Sequence, residues 1–336
     1  MTALISPSLG KGIEGGDDHQ LHQARSYGQL SSYIVTPAQL NEALSKNVHS
    51  KLSTAPKIVP ICAGWYLPND PSKRTGWESF SKSRIPRARF FDIDAVKDPD
   101  SPYPHMLPSA EAFADAMGKL GVRRDDSVVV YDTNELGIFS APRVAWTLKV
   151  FGHNSVHILN NFRLWCEQGY PLETGEPPGG PPKDYDVQPL DKTKVISFEE
   201  LKEIVQEQGK EGAEEVQVLD ARSGARFQGT EPEPRPGLSS GHIPRSKSVP
   251  VPSLLDPSTK ALLPAAELRE LFEKKEIDPS KPIVCSCGTG VTAAVIDAAL
   301  TEAGFPEEGR KLYDGSWTEW AQRVEPSERL IRKIGE

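Results

Sequence analysis

The stretch Pro282-Ile-Val-Cys-Ser-Cys-Gly-Thr-Gly-Val-Thr-Ala-Ala-Val295 decides how the chain is read. An apolar run suited to a buried strand ends in two cysteines one residue apart, then turns through glycines into an apolar helical segment. Strand, glycine turn and helix in that order make one unit of a parallel sheet, where sites collect at the carboxyl ends of strands. Taken alone, Cys285 and Cys287 could be metal ligands, a disulfide, a nucleophile with its neighbour, or none of these.

The stretch has a counterpart earlier in the chain. Ser127-Val-Val-Val-Tyr-Asp132 is a similar apolar run, with Asp132 in the place of Cys287. Upstream, Val35-Thr-Pro-Ala-Gln-Leu-Asn-Glu-Ala-Leu44 matches Ile196-Ser-Phe-Glu-Glu-Leu-Lys-Glu-Ile-Val205. Each opens on a capping-box pattern, Thr36 with Gln39 and Ser197 with Glu200. Between cap and strand, both halves carry a short β-rich run (Ile58–Ile61; Val216–Leu219), a paired signature (Arg84-Ile-Pro-Arg-Ala; His242-Ile-Pro-Arg-Ser) and an amphipathic helix from Ala110 or Ala266. The offset drifts only from 161 residues at the cap, Thr36 to Ser197, to 155 at the strand end, Asp132 to Cys287.

Apolar strands alternating with helices predict an α/β fold in which each copy is a mostly parallel sheet flanked by helices. The expected organisation is a disordered lead-in at 1–32, a first domain at 33–169, a linker at 170–192, a second domain at 193–328 and a C-terminal tail at 329–336. Pro and Gly clusters mark the linker, which is expected to be semi-rigid and to pack along both domains.

Net charge is -8 with both signs interspersed, and no Lys/Arg block tracks a phosphate backbone, which argues against direct nucleic-acid binding. No apolar run approaches the roughly 18 residues that cross a bilayer, and the N-terminus lacks an apolar signal core. The chain is expected inside the cell, mitochondrial, cytoplasmic or both, with its four cysteines reduced.

Only the second copy has a nucleophile at its strand end. The loop Cys287-Gly-Thr-Gly-Val-Thr292 runs directly into a helix, so backbone N–H groups and the helix's positive end can converge on the sulfur and stabilise a thiolate or persulfide anion. Gly288 and Gly290 suit a loop that curls round one atom. Cys285 shares that face by strand alternation but lies deeper, as a small buried hydrophobe. A zinc site is disfavoured, because ligand pairs take wider spacing and no second Cys/His pair stands nearby; neither metal nor separate cofactor is expected. A phosphatase with Cys-x5-Arg is excluded by Ala293. A dithiol switch between Cys285 and Cys287 stays open, since such a bridge would be strained and labile.

On these residues the chain is similar to the two-domain rhodanese-type sulfurtransferases, above all the 3-mercaptopyruvate sulfurtransferases and the fungal thiosulfate sulfurtransferases of the tRNA-thiolation relay. The likeness covers about residues 33–325. It rests on Trp65-Tyr-Leu-Pro68, Phe90-Phe-Asp-Ile-Asp94, Tyr103-Pro-His-Met-Leu-Pro108, Ser140-Ala-Pro-Arg143, Asp220-Ala-Arg222, Arg226-Phe-Gln-Gly-Thr-Glu-Pro-Glu-Pro-Arg235, Gly241-His-Ile-Pro244, Cys287-Gly-Thr-Gly-Val-Thr292 and Asp314-Gly-Ser-Trp317 in combination.

The resemblance implies two tandem rhodanese-like domains, the first catalytically silent. It implies a ping-pong cycle in which Cys287 takes sulfur from a small-molecule donor as a covalent persulfide and passes it to a thiol, cyanide or a protein acceptor such as thioredoxin or a sulfur-carrier protein, with tRNA wobble-uridine thiolation as one destination. Arg226 and Arg235 would hold the anionic substrate beside the loop residues Gly288, Gly290, Val291 and Thr292. Gly288 and Thr289 stand where thiosulfate-preferring relatives carry basic side chains, which implies 3-mercaptopyruvate as the better donor. Asp94, His105 and Thr289 would relay a proton across the domain interface. Two departures, Cys62 for a strand-end Asp and Leu159-Asn-Asn-Phe-Arg163 for an Asp-Gly-Gly turn, bear on the first domain's stability or interface.

Overall fold

A computed structural model describes residues 30–50, 53–177 and 179–335. Most of the expected lead-in, residues 1–29, lies outside the described residues. Strands β1 (Ile34–Val35), β2 (Ile58–Cys62), β3 (Arg89–Phe90), β4 (Ser127–Tyr131) and β5 (Val156–Leu159) form one sheet in the order β1-β5-β4-β2-β3. Strands β6 (Val195–Ile196), β7 (Gln217–Asp220), β8 (Lys247–Ser248), β9 (Ile283–Ser286) and β10 (Arg310–Tyr313) form the other in the order β6-β10-β9-β7-β8. Adding five to each number of the first order yields the second, and every pairing in both sheets is parallel.

The duplicated signals work alike in both halves. Thr36 with Gln39 and Ser197 with Glu200 form complete capping boxes on the helices Pro37–Ser45 and Phe198–Glu207. In the paired signature Ile85 and Ile243 are buried, while Arg87 and Arg245 take φ of 62° and 61°. Arg84 bridges Glu173 and His242 bridges Arg332, each antiparallel. The indole N–H groups of Trp165 and Trp320, both fully buried, donate to the carbonyls of Pro171 and Leu330. Residues 329–335 are therefore packed on the second half rather than hanging free, with Leu330 buried and Ile334 donating to the carbonyl of Gln228.

The helices Ala141–Val150 and Ala293–Glu302 are apolar on nearly every side, so each needs cover beyond its own sheet. They pack on one another, and the buried residues around them form one continuous core shared by the two halves. That contact brings the carboxyl ends of β4 and β9, where these helices begin, to the interface.

The linker departs from expectation. Among the described residues its hydrogen bonds run to the first half, apart from a local turn at Asp191: Glu173 pairs with Arg84, Lys183 N–H donates to Gly118, and Tyr185 lies buried against His153. Polyproline-rich chain has few free N–H groups, and the Arg84 and Arg124 guanidiniums satisfy its carbonyls instead. The Asn-Asn departure makes interface: Asn160 exchanges hydrogen bonds with the backbone of Leu262 (2.7 and 3.3 Å) and Asn161 donates to Thr259 (3.0 Å). Cys62 ends β2 fully buried, and burial pushes its thiol well up. Among the described residues no helix is long and apolar enough to cross a membrane.

Candidate active site

Cys287 and Asp132 follow directly on β9 and β4, the equivalent central strands, and both are buried. The Asp132 carboxylate accepts from the N–H groups of Phe139 (2.7 Å), Ser140 (2.9 Å) and Ala141 (3.0 Å) and from the Ser140 hydroxyl (2.6 Å). It thus fills the loop at the start of the helix with its own charge, although burial pushes its carboxyl above the ordinary value. In the second half the loop is shorter. Among the described residues no oxygen accepts from the backbone N–H groups of Gly288, Thr289, Gly290, Val291 and Thr292. The loop is braced from outside: Cys287 N–H donates to the Ser316 hydroxyl, and Trp317 and Thr318 N–H groups donate to the carbonyls of Cys287 and Gly288.

Gly290 takes φ of 76°, and a Cβ there would meet the Asp314 carbonyl at 2.5 Å, so no larger residue fits this turn. A Cβ on Gly288 would come within 3.2 Å of the Arg226 guanidinium. Cys285 is fully buried, and burial pushes its thiol far above the usual range, which keeps it protonated. All four cysteines are free thiols.

The first half supplies the opposite wall. His105 Nε2 lies 2.9 Å from Asp94 Oδ1, and His105 Nδ1 lies 3.2 Å from Thr289 Oγ1. The hydrogen bond from His105 holds the Asp94 carboxyl below its ordinary value, and burial drives His105 below its own despite Asp94. The imidazole is therefore neutral at neutral pH. An ionised carboxylate only accepts, so Nε2 carries the proton and Nδ1 accepts from the Thr289 hydroxyl. The Trp65 indole donates to the other Asp94 oxygen (2.9 Å) and meets the imidazole edge-on at 4.7 Å, fixing both.

Two groups that sequence reasoning assigned no role organise the site. Buried Arg143, on the helix after Asp132, donates to the carbonyls of His105 (2.6 Å) and Gly290 (3.1 Å) and to the Asp314 carboxylate (2.5 Å). One guanidinium thus ties the histidine of one half to the cysteine loop of the other. An arginine inside the otherwise apolar run Ala141-Pro-Arg-Val-Ala-Trp146 was the available signal. The second is Glu233, which accepts from both Arg222 (2.8 Å) and Arg226 (2.5 Å), while Arg222 in turn grips the strand-end Asp220.

Arg226 is therefore braced by Glu233 before any substrate arrives, whereas Arg235 is half-buried and in no ion pair among the described residues. Burial and the nearby Arg226 pull the Arg235 guanidinium below its ordinary value. The structure brings Asp94, His105 and Thr289 into one hydrogen-bonded run, and sets Arg226 beside Gly288. Val291 is buried and offers its backbone, while Thr292 stands at the N-cap position of the following helix with a half-buried side chain that makes no capping bond.

This arrangement has known counterparts. The rhodanese-like domain family matches residues 197–323. A thiosulfate sulfurtransferase of Saccharomyces cerevisiae is 43% identical over 308 residues, covering 88% of this chain and 97% of the relative. The 3-mercaptopyruvate sulfurtransferase of Rattus norvegicus is 42% identical over 299 residues, covering 89% of this chain and 95% of the relative. Among solved structures, the sulfur transferase subunit described as sub-stoichiometric in yeast mitochondrial complex I superposes with a TM-score of 0.79 at 41% identity, covering 90% of this chain and 99% of that one.

Proposed function

The chain belongs to the rhodanese-type sulfurtransferases of the 3-mercaptopyruvate/thiosulfate kind, and on that premise we propose that Cys287 is its sulfur-carrying nucleophile and 3-mercaptopyruvate its preferred donor. The observation that carries this reading is the run Asp94–His105–Thr289, which ends inside the loop that Cys287 opens.

Arg226 and Arg235 hold the donor's carboxylate and carbonyl through charge-assisted hydrogen bonds. Neutral His105 takes the Cys287 thiol proton through the Thr289 hydroxyl, and Asp94 stabilises the imidazolium that results. The thiolate attacks the donor sulfur. A new S–S bond forms, the C–S bond breaks, and its electron pair leaves as the enolate of pyruvate. The imidazolium returns the proton through Thr289 to the methylene carbon, so Cys287 thiol and 3-mercaptopyruvate become persulfide and pyruvate with no outside oxidant. The N–H groups of Gly288 to Thr292, which have no oxygen acceptor among the described residues, then stabilise the persulfide anion.

Thiosulfate has no enolate to protonate and brings a second charge, for which Gly288 and Thr289 supply no cation. We expect kcat/KM for 3-mercaptopyruvate to exceed that for thiosulfate by about 10²-fold or more, the usual worth of positioned proton transfer. Equal values in side-by-side assays would overturn the donor assignment.

A second reading concerns the destination. The yeast relative within mitochondrial complex I supports delivery of persulfide sulfur to a protein, in the mitochondrion or cytoplasm; thioredoxin or a carrier of the tRNA-thiolation pathway fits that chemistry. The dithiol switch is disfavoured by the deep burial and raised thiol of Cys285.

A further inference from the structure

At the mouth of the interface lies an open cleft of about 540 Å³, walled by Lys97 and Tyr103 of the first half and by Arg235, Leu238, Thr318 and Gln322 of the second. It borders the cysteine loop directly, because the wall residue Thr318 donates to the Gly288 carbonyl through both its hydroxyl and its N–H. Among the described residues no acidic side chain lines it, in a chain whose net charge is -8. Asp94 and Glu319, whose charges reach the wall residues Lys97 and Tyr103, are held by other groups as well, Asp94 by His105 and Trp65, and Glu319 by Arg323 (2.8 Å). Lys97 is half-buried and, among the described residues, is in no ion pair. Its charge reaches Asp94 and helps hold that carboxyl down, but no carboxylate among the described residues pairs with it directly, and a half-buried ammonium so placed beside a reaction centre is poised for an anion that arrives from solution.

We propose that this cleft is the subsite for the sulfur-accepting thiol, and that Lys97 selects small thiols carrying a carboxylate. The proposal rests on Cys287 being the persulfide carrier. In the step it serves, the acceptor thiolate attacks the outer sulfur of the Cys287 persulfide. The S–S bond to Cys287 breaks, Cys287 leaves as thiolate, and the acceptor departs as its own persulfide. One sulfur atom moves with no net oxidation, and the acceptor's proton returns to Cys287. Donor binding needs Arg226 and Arg235; Arg235 stands on the second-half wall of this cleft and Lys97 on its first-half wall, so the acceptor can use a cation that the donor's two arginines do not include. The cleft volume fits a molecule of small-peptide size.

The two half-reactions separate the test from its premise. Full-length enzyme is loaded with 3-mercaptopyruvate, freed of donor, and discharged with 3-mercaptopropionate (anionic), 2-mercaptoethanol (neutral) or cysteamine (cationic). Each thiol is compared across wild type, Lys97→Met, Lys97→Glu and Lys97→Arg, so intrinsic thiol reactivity cancels. Discharge by 3-mercaptopropionate is expected to fall about fivefold to tenfold in Lys97→Met, further in Lys97→Glu, and to recover in Lys97→Arg, on the scale of one partly desolvated charge contact. Discharge by 2-mercaptoethanol is expected to stay within about twofold, cysteamine to gain in Lys97→Glu, and the loading rate to change less than discharge by 3-mercaptopropionate does. Equal effects on all three thiols, or none on any, would overturn the acceptor subsite. Failure of wild-type Cys287 to load would instead sink the premise.

Discussion

The loops after β4 and β9 occupy equivalent places in two sheets of identical topology, yet they satisfy their N–H groups in opposite ways. After β4 the Asp132 carboxylate binds three backbone N–H groups and a hydroxyl, and the loop is closed on itself. After β9 a thiol takes the same position and five N–H groups are left without an oxygen acceptor among the described residues. A second difference lies one strand over. Asp220 at the end of β7 starts the chain Asp220–Arg222–Glu233–Arg226, while the equivalent end of β2 is the buried thiol of Cys62, which can start none. The same scaffold therefore leaves a cradle of N–H groups open once and fills it with its own carboxylate the other time. What the first half contributes is a wall: Asp94, His105 and Arg143 all come from it.

Exchanging the group at the β9 strand end has the largest expected effect. Cys287→Ser should lower turnover by about 10⁴-fold or more and leave no sulfur adduct on the intact protein by mass spectrometry, whereas Cys285→Ser should keep most of both. A Cys285→Ser variant that cannot be loaded would reverse the assignment of the two cysteines.

Next comes the wall that the first half contributes. His105→Asn should slow loading by 3-mercaptopyruvate about 10²- to 10³-fold while affecting thiosulfate far less. Because the base must be neutral, kcat/KM for 3-mercaptopyruvate should fall as pH drops through the His105 pKa, which burial places below the ordinary 6.5. In Asp94→Asn the attraction that raises this pKa is gone, so the acid limb should move to still lower pH as the plateau drops. An acid limb above 6.5, or one that moves up in Asp94→Asn, would exclude His105 as the base.

In the closed loop, Asp132→Ala strands several buried donors and should destabilise the protein by about 3 kcal/mol, read from the denaturation midpoint, with persulfide loading kept in the fraction that stays folded. Loss of less than about 1 kcal/mol would mean that Asp132 does not hold its loop as its geometry implies. The smallest change is in the brace. Glu233→Gln keeps shape but weakens the grip on Arg226, so KM for 3-mercaptopyruvate should rise about tenfold with kcat within about threefold.

Much of this architecture was legible in local pattern. Two capping boxes, two apolar strands and the Gly-Thr-Gly turn each express short-range physics: a side chain reaching an N–H three residues on, alternation along a strand, a glycine taking positive φ. The duplication then aligned Asp132 with Cys287, and the family resemblance put Asp94, His105 and Thr289 in one set. Other features were out of reach of pattern. That the linker lies along the first half depends on which guanidiniums meet its carbonyls, and that Asn160 and Asn161 stitch the halves together depends on where residues 259–262 fold back.

By itself the sequence determined the two sheets, the order of their strands' helices and turns, and the strand end at which a cysteine meets a glycine turn and a helix, since these follow from contacts between near neighbours. Only the tertiary structure decided how the site is completed. His105 and Thr289 are 184 positions apart, Arg143 and Asp314 are 171 apart, and both contacts exist because the helices Ala141–Val150 and Ala293–Glu302 bury their apolar faces on each other. Burying those faces also takes His105 and Arg143 out of water, and it is this desolvation that lowers the histidine's pKa and favours its neutral form.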